Sequence, residues 1–408
     1  MSNTVTRRGR MTTALVLCAA AVTLAACGSN GATNQAGSSG SQSGTGAGAG
    51  SVAGAQANLA PYLNAKVPSP AGAAFDASGA AGQNVEVVDL TGANPAVAAV
   101  SASVRTALTS KGVNVQRCDA KGVSVNISSC INQGVSQAAK VIVVIGGDPK
   151  AYSEGVAAAK NAKIPVISAL DFPMPSEVTA SGVDASALQA DVDAVSANAA
   201  PPDALSGTLA ADFVIGDSNG KATVLFIASP GIVGSEYVEK AFSAEMKKRC
   251  PDCSIVSAGV ALPRWASDLA PVVSAKLAQN PDINYVVPVF DPMAAYTNPA
   301  INQAGKSDAV KVVTVNGSLQ QMKELGSGGL IAAEVGQSFP EMGLIAADQA
   351  MRFLTNAAPL KEAAPAIRVF TKQNIGSITI ADSNFRTGEW YTGSPEALTR
   401  AYDKIWSK

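Results

Sequence analysis

No histidine occurs anywhere in the 408 residues, which removes the commonest general base and with it every Ser-His-Asp and Cys-His constellation. Gly146-Gly147-Asp148 follows a strand-like run but lacks the G-x-G-x-x-G spacing, and there is no G-x-x-x-x-G-K-[ST] to cradle a phosphate. The 31 carboxylates fall in no recognisable catalytic setting, so no catalytic residue, cofactor or metal is expected. Of six cysteines, Cys118 and Cys130 form one local pair and Cys250 and Cys253 another. The spacing Cys250-Pro251-Asp252-Cys253 also suits a thiol redox enzyme or half of a zinc site. A redox motif of this type opens a helix, whereas this one closes a helical pattern over 237–249 and precedes the strand-like Ser254-Ile255-Val256. Zinc would need two further ligands. Structural disulfides in an oxidising compartment are the expectation for both pairs, with an envelope thiol-disulfide protein using Cys250 and Cys253 as the alternative.

The compartment follows from a fifth cysteine. Arg7, Arg8 and Arg10 precede an apolar run over 11–23 that is too short to span a bilayer, and Leu24-Ala25-Ala26-Cys27 comes next. This resembles a bacterial lipoprotein signal, which implies cleavage after residue 26, acylation of Cys27 and a mature protein tethered to the extracytoplasmic face of the cell membrane. The mature chain then carries 27 Lys and Arg against 31 Asp and Glu. Such a balance gives no electrostatic reason to bind nucleic acid. Residues 27–60 are almost entirely small and polar and read as a flexible Gly/Ser/Ala linker.

From residue 84 onward, short Val- and Ile-rich runs alternate with helical patterns, the signature of parallel sheets covered by helices on both faces. Strands are expected at 85–90, 113–115, 141–145 and 164–168. The pattern restarts after Gly220, with strands at 223–227, 254–257, 285–289, 310–315 and 330–335. The expected fold class is α/β, built as two Rossmann-like doubly wound lobes joined by a hinge. Residues 179–202, rich in Ala, Asp and Ser, read as a surface insertion.

Open α/β sheets bind ligands outside the carboxyl ends of their strands. This rule selects Thr91 to Asn94, Gly147, Asp148, Asp171, Phe172, Arg264, Trp265, Phe290, Asp291, Asn316 and Gln337. Asn94 before Pro95 and Asp148 before Pro149 suit a helix cap equally well. Trp265 reads either as a ring that stacks on ligand or as a core tryptophan.

Ile164-Pro165-Val166-Ile167, Asp291-Pro292-Met293-Ala294, Val312 to Gly317 and Gln337 to Gly343 occur in this order. Together they resemble the type I periplasmic binding proteins, the class of the ribose and galactose receptors of ABC importers, over about residues 84–372. The resemblance implies a first lobe over 84–218 to which 340–358 return, and a second lobe over 221–336 with 365–408 as its tail. It places crossovers near 218–221, 336–339 and 358–364. It also implies a monomeric, non-enzymatic receptor whose partners are a small-molecule ligand and an ABC permease. Trp265 takes the place of the family's stacking aromatic and Gln337 that of its hinge-side glutamine. A sensory receptor of the same fold without a transport role is the alternative.

The chain departs from the sugar-binding pattern in several places. Ala96-Val97 follow Asn94-Pro95 where two aromatics are usual, with Phe172 or Phe290 as replacements, and the family's gripping arginine falls near Val238. Phe290 stands for an asparagine and Asn316 for an aspartate. A polyol, a modified sugar or another small neutral molecule therefore suits the cleft better than a sugar gripped by charge.

Because acylation supplies the expected tether, Cys27→Ser should release folded protein from the membrane fraction, measured by fractionation and immunoblotting. Continued membrane association of the mutant would contradict the signal reading.

Overall fold

The structure, a computed structural model, describes residues 46–147, 149–170, 172–180 and 194–407. The lipoprotein-like signal and Cys27 lie outside the described residues. In chain order the elements of the first half are helix α1 (Gly46–Leu59), β1 (Asn84–Asp89), α2 (Pro95–Ser110), β2 (Asn114–Asp119), α3 (Ser124–Ser136), β3 (Val141–Ile145), α4 (Ser153–Asn161), β4 (Val166–Ala169), α5 (Pro175–Ala180) and β5 (Ala197–Ala199). Then come α6 (Asp203–Asp217), β6 (Thr223–Ala228), α7 (Val233–Arg249), β7 (Ser254–Gly259), α8 (Trp265–Gln279), β8 (Tyr285–Pro288), α9 (Asp291–Gln303), β9 (Lys311–Asn316), α10 (Leu319–Gly326) and β10 (Ile331–Gln337). The chain ends with α11 (Phe339–Thr355), β11 (Glu362–Ala363), β12 (Ile367–Thr371), α12 (Asp382–Thr387), α13 (Glu389–Thr392) and α14 (Ala397–Ile405).

Two sheets result, in the orders β11-β5-β4-β3-β1-β2 and β12-β10-β9-β8-β6-β7. The first is wholly parallel, and the second is parallel except for the antiparallel β12 against β10. Central strands read as continuous apolar runs because helices cover both faces, and Val141-Ile142-Val143-Val144-Ile145 is buried at every position. The outer strands β2 and β7 alternate exposed and half-buried residues, which blunts both edges against unwanted pairing. This is the doubly wound α/β architecture expected from the sequence.

Three expectations change. Residues 46–59 of the expected linker form a helix packed on α6 and α7, with Ala55 and Leu59 buried and Asn58 Nδ2 donating to Asp212 Oδ2 at 2.5 Å. Alanine favours helix, and the small side chains that cannot build a core still let one helix lie close to another. Next, Ala197-Asn198-Ala199 of the expected surface insertion is the fully buried strand β5, too short and too poor in β-branched residues to be read as a strand.

The third change concerns the crossovers. Helix α6 packs on β9, β10 and α7 of the second sheet, so the chain changes lobe at residues 200–202 rather than 218–221. The break coincides with Pro201-Pro202, which cannot continue a strand and pre-set the start of a helix. The tail also divides: β12 completes the second sheet, whereas α14 returns to α11 on the first lobe. There Trp406 Nε1 donates to Asp348 Oδ1 at 2.8 Å and Lys111 pairs with Asp403 at 2.7 Å.

Both cysteine pairs lie at disulfide distance, with Cα separations of 5.6 Å for Cys118–Cys130 and 5.3 Å for Cys250–Cys253. Cys250 is buried where α7 ends. Replacing Cys118 and Cys130 together by Ser should lower the unfolding free energy by about 3 kcal/mol in denaturant titrations, the loop-entropy value for a closure of this length. An unchanged midpoint would show that the bond does not constrain the unfolded chain.

Candidate functional site

In each sheet the strand order reverses between the first and third strands, opening a crevice at their carboxyl ends. In the first lobe that point lies between the loops after β1 and β3. Asp89 closes β1, fully buried, accepting from Arg117 Nε at 2.5 Å and Ser101 Oγ at 3.0 Å. Asn94 is exposed and its Oδ1 accepts from Ala96 N at 2.9 Å and Val97 N at 3.3 Å, so it caps α2 and its acceptor is occupied. After β3 the backbone turns through Gly147 at φ +116°, where a Cβ would collide with Ile127. Leu170, after β4, holds φ +69°, a costly conformation for a bulky residue and one that clusters at binding sites. Asp148 and Asp171 lie outside the described residues. Phe172 is fully buried within an apolar cluster that includes Tyr152 and Val178 and, from the second lobe, Ala204 and Tyr237. Its ring belongs to the seam between lobes rather than to an open wall.

The second lobe holds the other candidates, all of them buried or half-buried. Trp265 begins α8 and is 9% exposed, its Nε1 donating to Ser229 Oγ at 3.2 Å and Val260 O at 3.1 Å. Both partners follow strands at the same edge, so the indole is fixed in orientation, and it packs in the core cluster of buried residues as the core reading of Trp265 expects. Phe290 is half-buried at the position preceding α9. Asp291 is fully buried, and its Oδ2 accepts from Ser318 N at 2.6 Å. Asn316 is half-buried with φ +132°, and Gly317 follows at φ +82°. Gln337 is 1% exposed, and its Oε1 has no hydrogen-bond partner among the described residues. An orphaned buried acceptor at a hinge marks a place where a ligand hydroxyl or a water completes the structure.

Sequence reasoning missed Ser229, Glu334 and Tyr391. Glu334 lies fully buried on β10, its Oε1 accepting from Gly317 N at 2.7 Å and its Oε2 bonded to Thr314 Oγ1. Tyr391, from the tail, lodges its hydroxyl where a Cβ on either Gly317 or Gly336 would collide with it. A glutamate within an apolar strand was the available signal for Glu334. Tyr391 comes from a tail whose course is set only in three dimensions.

The crossovers run beside one another. Ser338 N donates to Ala366 O at 3.0 Å, and Ala366 N donates to Glu341 Oε2 at 2.7 Å, which joins the second crossing to the third. Around the first and third crossings, Asp203 and Glu362 lie near enough for their charges to act on Glu177. Burial pushes Glu177 up to about 8, with help from the charges of Asp203 and Glu362, and pushes Asp203 and Glu341 up to about 7. No set of three or more Cys, Asp and Glu side chains among the described residues is disposed to hold a metal ion. Among the described candidates at the strand ends, Trp265, Phe290, Asn316 and Gln337 are neutral.

Comparison with known proteins agrees with this geometry. Residues 92–358 match the family model described as a periplasmic binding protein domain. No curated protein sequence matches the chain. Among solved structures, the 5-methylthioribose transporter solute-binding protein of Thermotoga lettingae superposes with a TM-score of 0.62 at 19% identity, covering 81% of this chain and 98% of that one. A solute-binding protein of Actinobacillus succinogenes with bound D-allose gives 0.62 at 16%, covering 72% and 100%. The Caulobacter myo-inositol binding protein gives 0.61 at 21%, covering 73% and 96%.

The buried carboxyls set a pH dependence. Groups whose acidity is weakened by folding bind protons more tightly in the native state, so stability must fall as pH rises through about 5 to 8. Thermal unfolding should show a higher midpoint near the acid end of that window, and Asp203→Asn should flatten the slope. A midpoint that is constant or rises with pH would contradict these protonation states.

Proposed function

The chain belongs to the periplasmic binding protein domain family, whose members are substrate-binding proteins and not enzymes. From that premise we propose that it is a lipid-anchored receptor of an ABC importer that captures a small neutral polyhydroxylated ligand between its lobes by hinge closure. The observation that carries the reading is Gln337, buried where β10 ends, its Oε1 without a hydrogen-bond partner among the described residues. An amide there both donates to and accepts from a hydroxyl. In this reading Trp265 supplies an aromatic contact, and Phe290 and Asn316 lie beside it at the strand ends. The ligands named for the similar structures, D-allose, myo-inositol and 5-methylthioribose, define the first compounds to test.

The proposed anchor is a lipid on Cys27, supported by the lipoprotein-like signal; no helix among the described residues is long and apolar enough to cross a membrane. Helix α1 packs on α6 and α7 of the second lobe.

A thermal-shift screen against these three compounds and a panel of polyols should find one that, at 100 times its Kd, stabilises the fold by about 2.7 kcal/mol. Gln337→Ala should weaken that compound at least about tenfold in calorimetry while leaving the protein folded. Trp265→Ala should cost about 2 to 4 kcal/mol of binding, as for a buried aromatic hot spot. Unchanged affinity in both folded variants would remove the interlobe cleft as the site.

A further inference from the structure

Two carboxyls sit side by side behind the cleft wall of the second lobe. Asp291 opens α9 and Glu334 lies on β10, both fully buried, and their oxygens accept from the consecutive backbone amides of Ser318 and Gly317. Asp291 Oδ1 has no hydrogen-bond partner among the described residues, and two adjacent anions in such surroundings would be strongly destabilised unless one carboxyl kept a proton. Each carboxyl also grips the same loop. Glu334 Oε1 accepts from Gly317 N at 2.7 Å and Asp291 Oδ2 from Ser318 N at 2.6 Å, while Thr314 Oγ1 bonds Glu334 from β9. The loop so held contains Asn316 at φ +132°, a conformation that persists only when its surroundings over-determine it.

We propose that Asp291 and Glu334 are positioning residues that share one proton and, through it, hold Asn316, Gly317 and Ser318 in the shape of the cleft wall. Loss of the proton leaves two neighbouring anions, and the loop must open to admit the water that solvates them. The other titratable groups that bear on the pair are Tyr391 of α13 and, through it, Arg368 of β12. Tyr391 is neutral, since burial raises it, and Arg368 Nη1 is already committed to Trp390 O at 2.6 Å. Neither supplies a counter-charge that would allow both carboxyls to ionise. Burial raises both carboxyls, and the Asp291 charge raises Glu334 further, so the pair holds its proton against loss. Glutamine at 334 reproduces the protonated acid, with one acceptor for Gly317 N and a donor for Asp291.

The consequence for ligand capture rests on the interlobe reading above, but the test needs no ligand. Amide hydrogen exchange of Gly317 and Ser318, corrected for intrinsic rates, is followed in the folded protein from about pH 5 up to the highest pH at which the fold persists. Protection of both amides should fall at least about tenfold across this range in the wild type and stay at the acid value in Glu334→Gln. Asp291→Asn should likewise abolish the pH dependence, which keeps the test decisive if one variant does not fold. Flat wild-type protection, or an identical fall in a folded Glu334→Gln variant, would overturn the shared-proton loop clamp whatever the cleft binds.

Discussion

A parallel β-sheet has no face that tolerates water, and the rest of this molecule follows from that constraint. Strands such as Val141–Ile145 and Lys311–Asn316 are buried on both sides, so each must be followed by a helix that returns across the sheet. Returning helices bring every parallel strand to the same edge with its carboxyl end forward. Each sheet therefore gathers its loops, and the polar groups on them, along one rim. The order 2-1-3-4-5 within each lobe, followed by a sixth strand from the chain's end, parts the loops between the first and third strands and leaves a crevice there.

Two such lobes could drift apart, and the covering helices and termini limit this. Helix α11 leaves β10 of the second sheet and lies on β3, β4 and β5 of the first, buried at nearly every position. Its Arg352 pairs with Asp348 at 2.7 Å, both almost wholly buried, and also donates to Ala73 O at 3.0 Å and Ala358 O at 3.2 Å. The segment after α1 follows the same route: Lys66 N donates to Tyr391 O and Phe75 N to Ile405 O. Both ends of the chain thus lie beside the crossovers. The hinge is a bundle of hydrogen-bonded segments, which suits a rotation about one axis better than free separation of the lobes.

The architecture was legible in the sequence because long Val- and Ile-rich strands and Ala-rich helices carry their periods openly. Tyr285 to Pro288 and the helix 265–279 fall within a residue or so of expectation. What escaped notice depended on tertiary context. Ala197 to Ala199 is a strand only because β4 and β11 flank it, and α1 is ordered only because α6 and α7 offer a surface. Among candidate binding residues, strand-end logic located Trp265, Phe290, Asn316 and Gln337 at the second lobe's rim. It could not foresee that Asn94 is consumed as a cap or Phe172 by the interlobe seam, because both outcomes depend on where neighbouring groups come to rest.

The central claim is that solute is held between the lobes and that binding closes them. Small-angle X-ray scattering of the protein, alone and saturated with a compound shown independently to bind, tests this directly. Interlobe capture predicts a smaller radius of gyration and a shorter maximum dimension in the bound state. Superimposable scattering curves with saturation demonstrated in the same sample would contradict it.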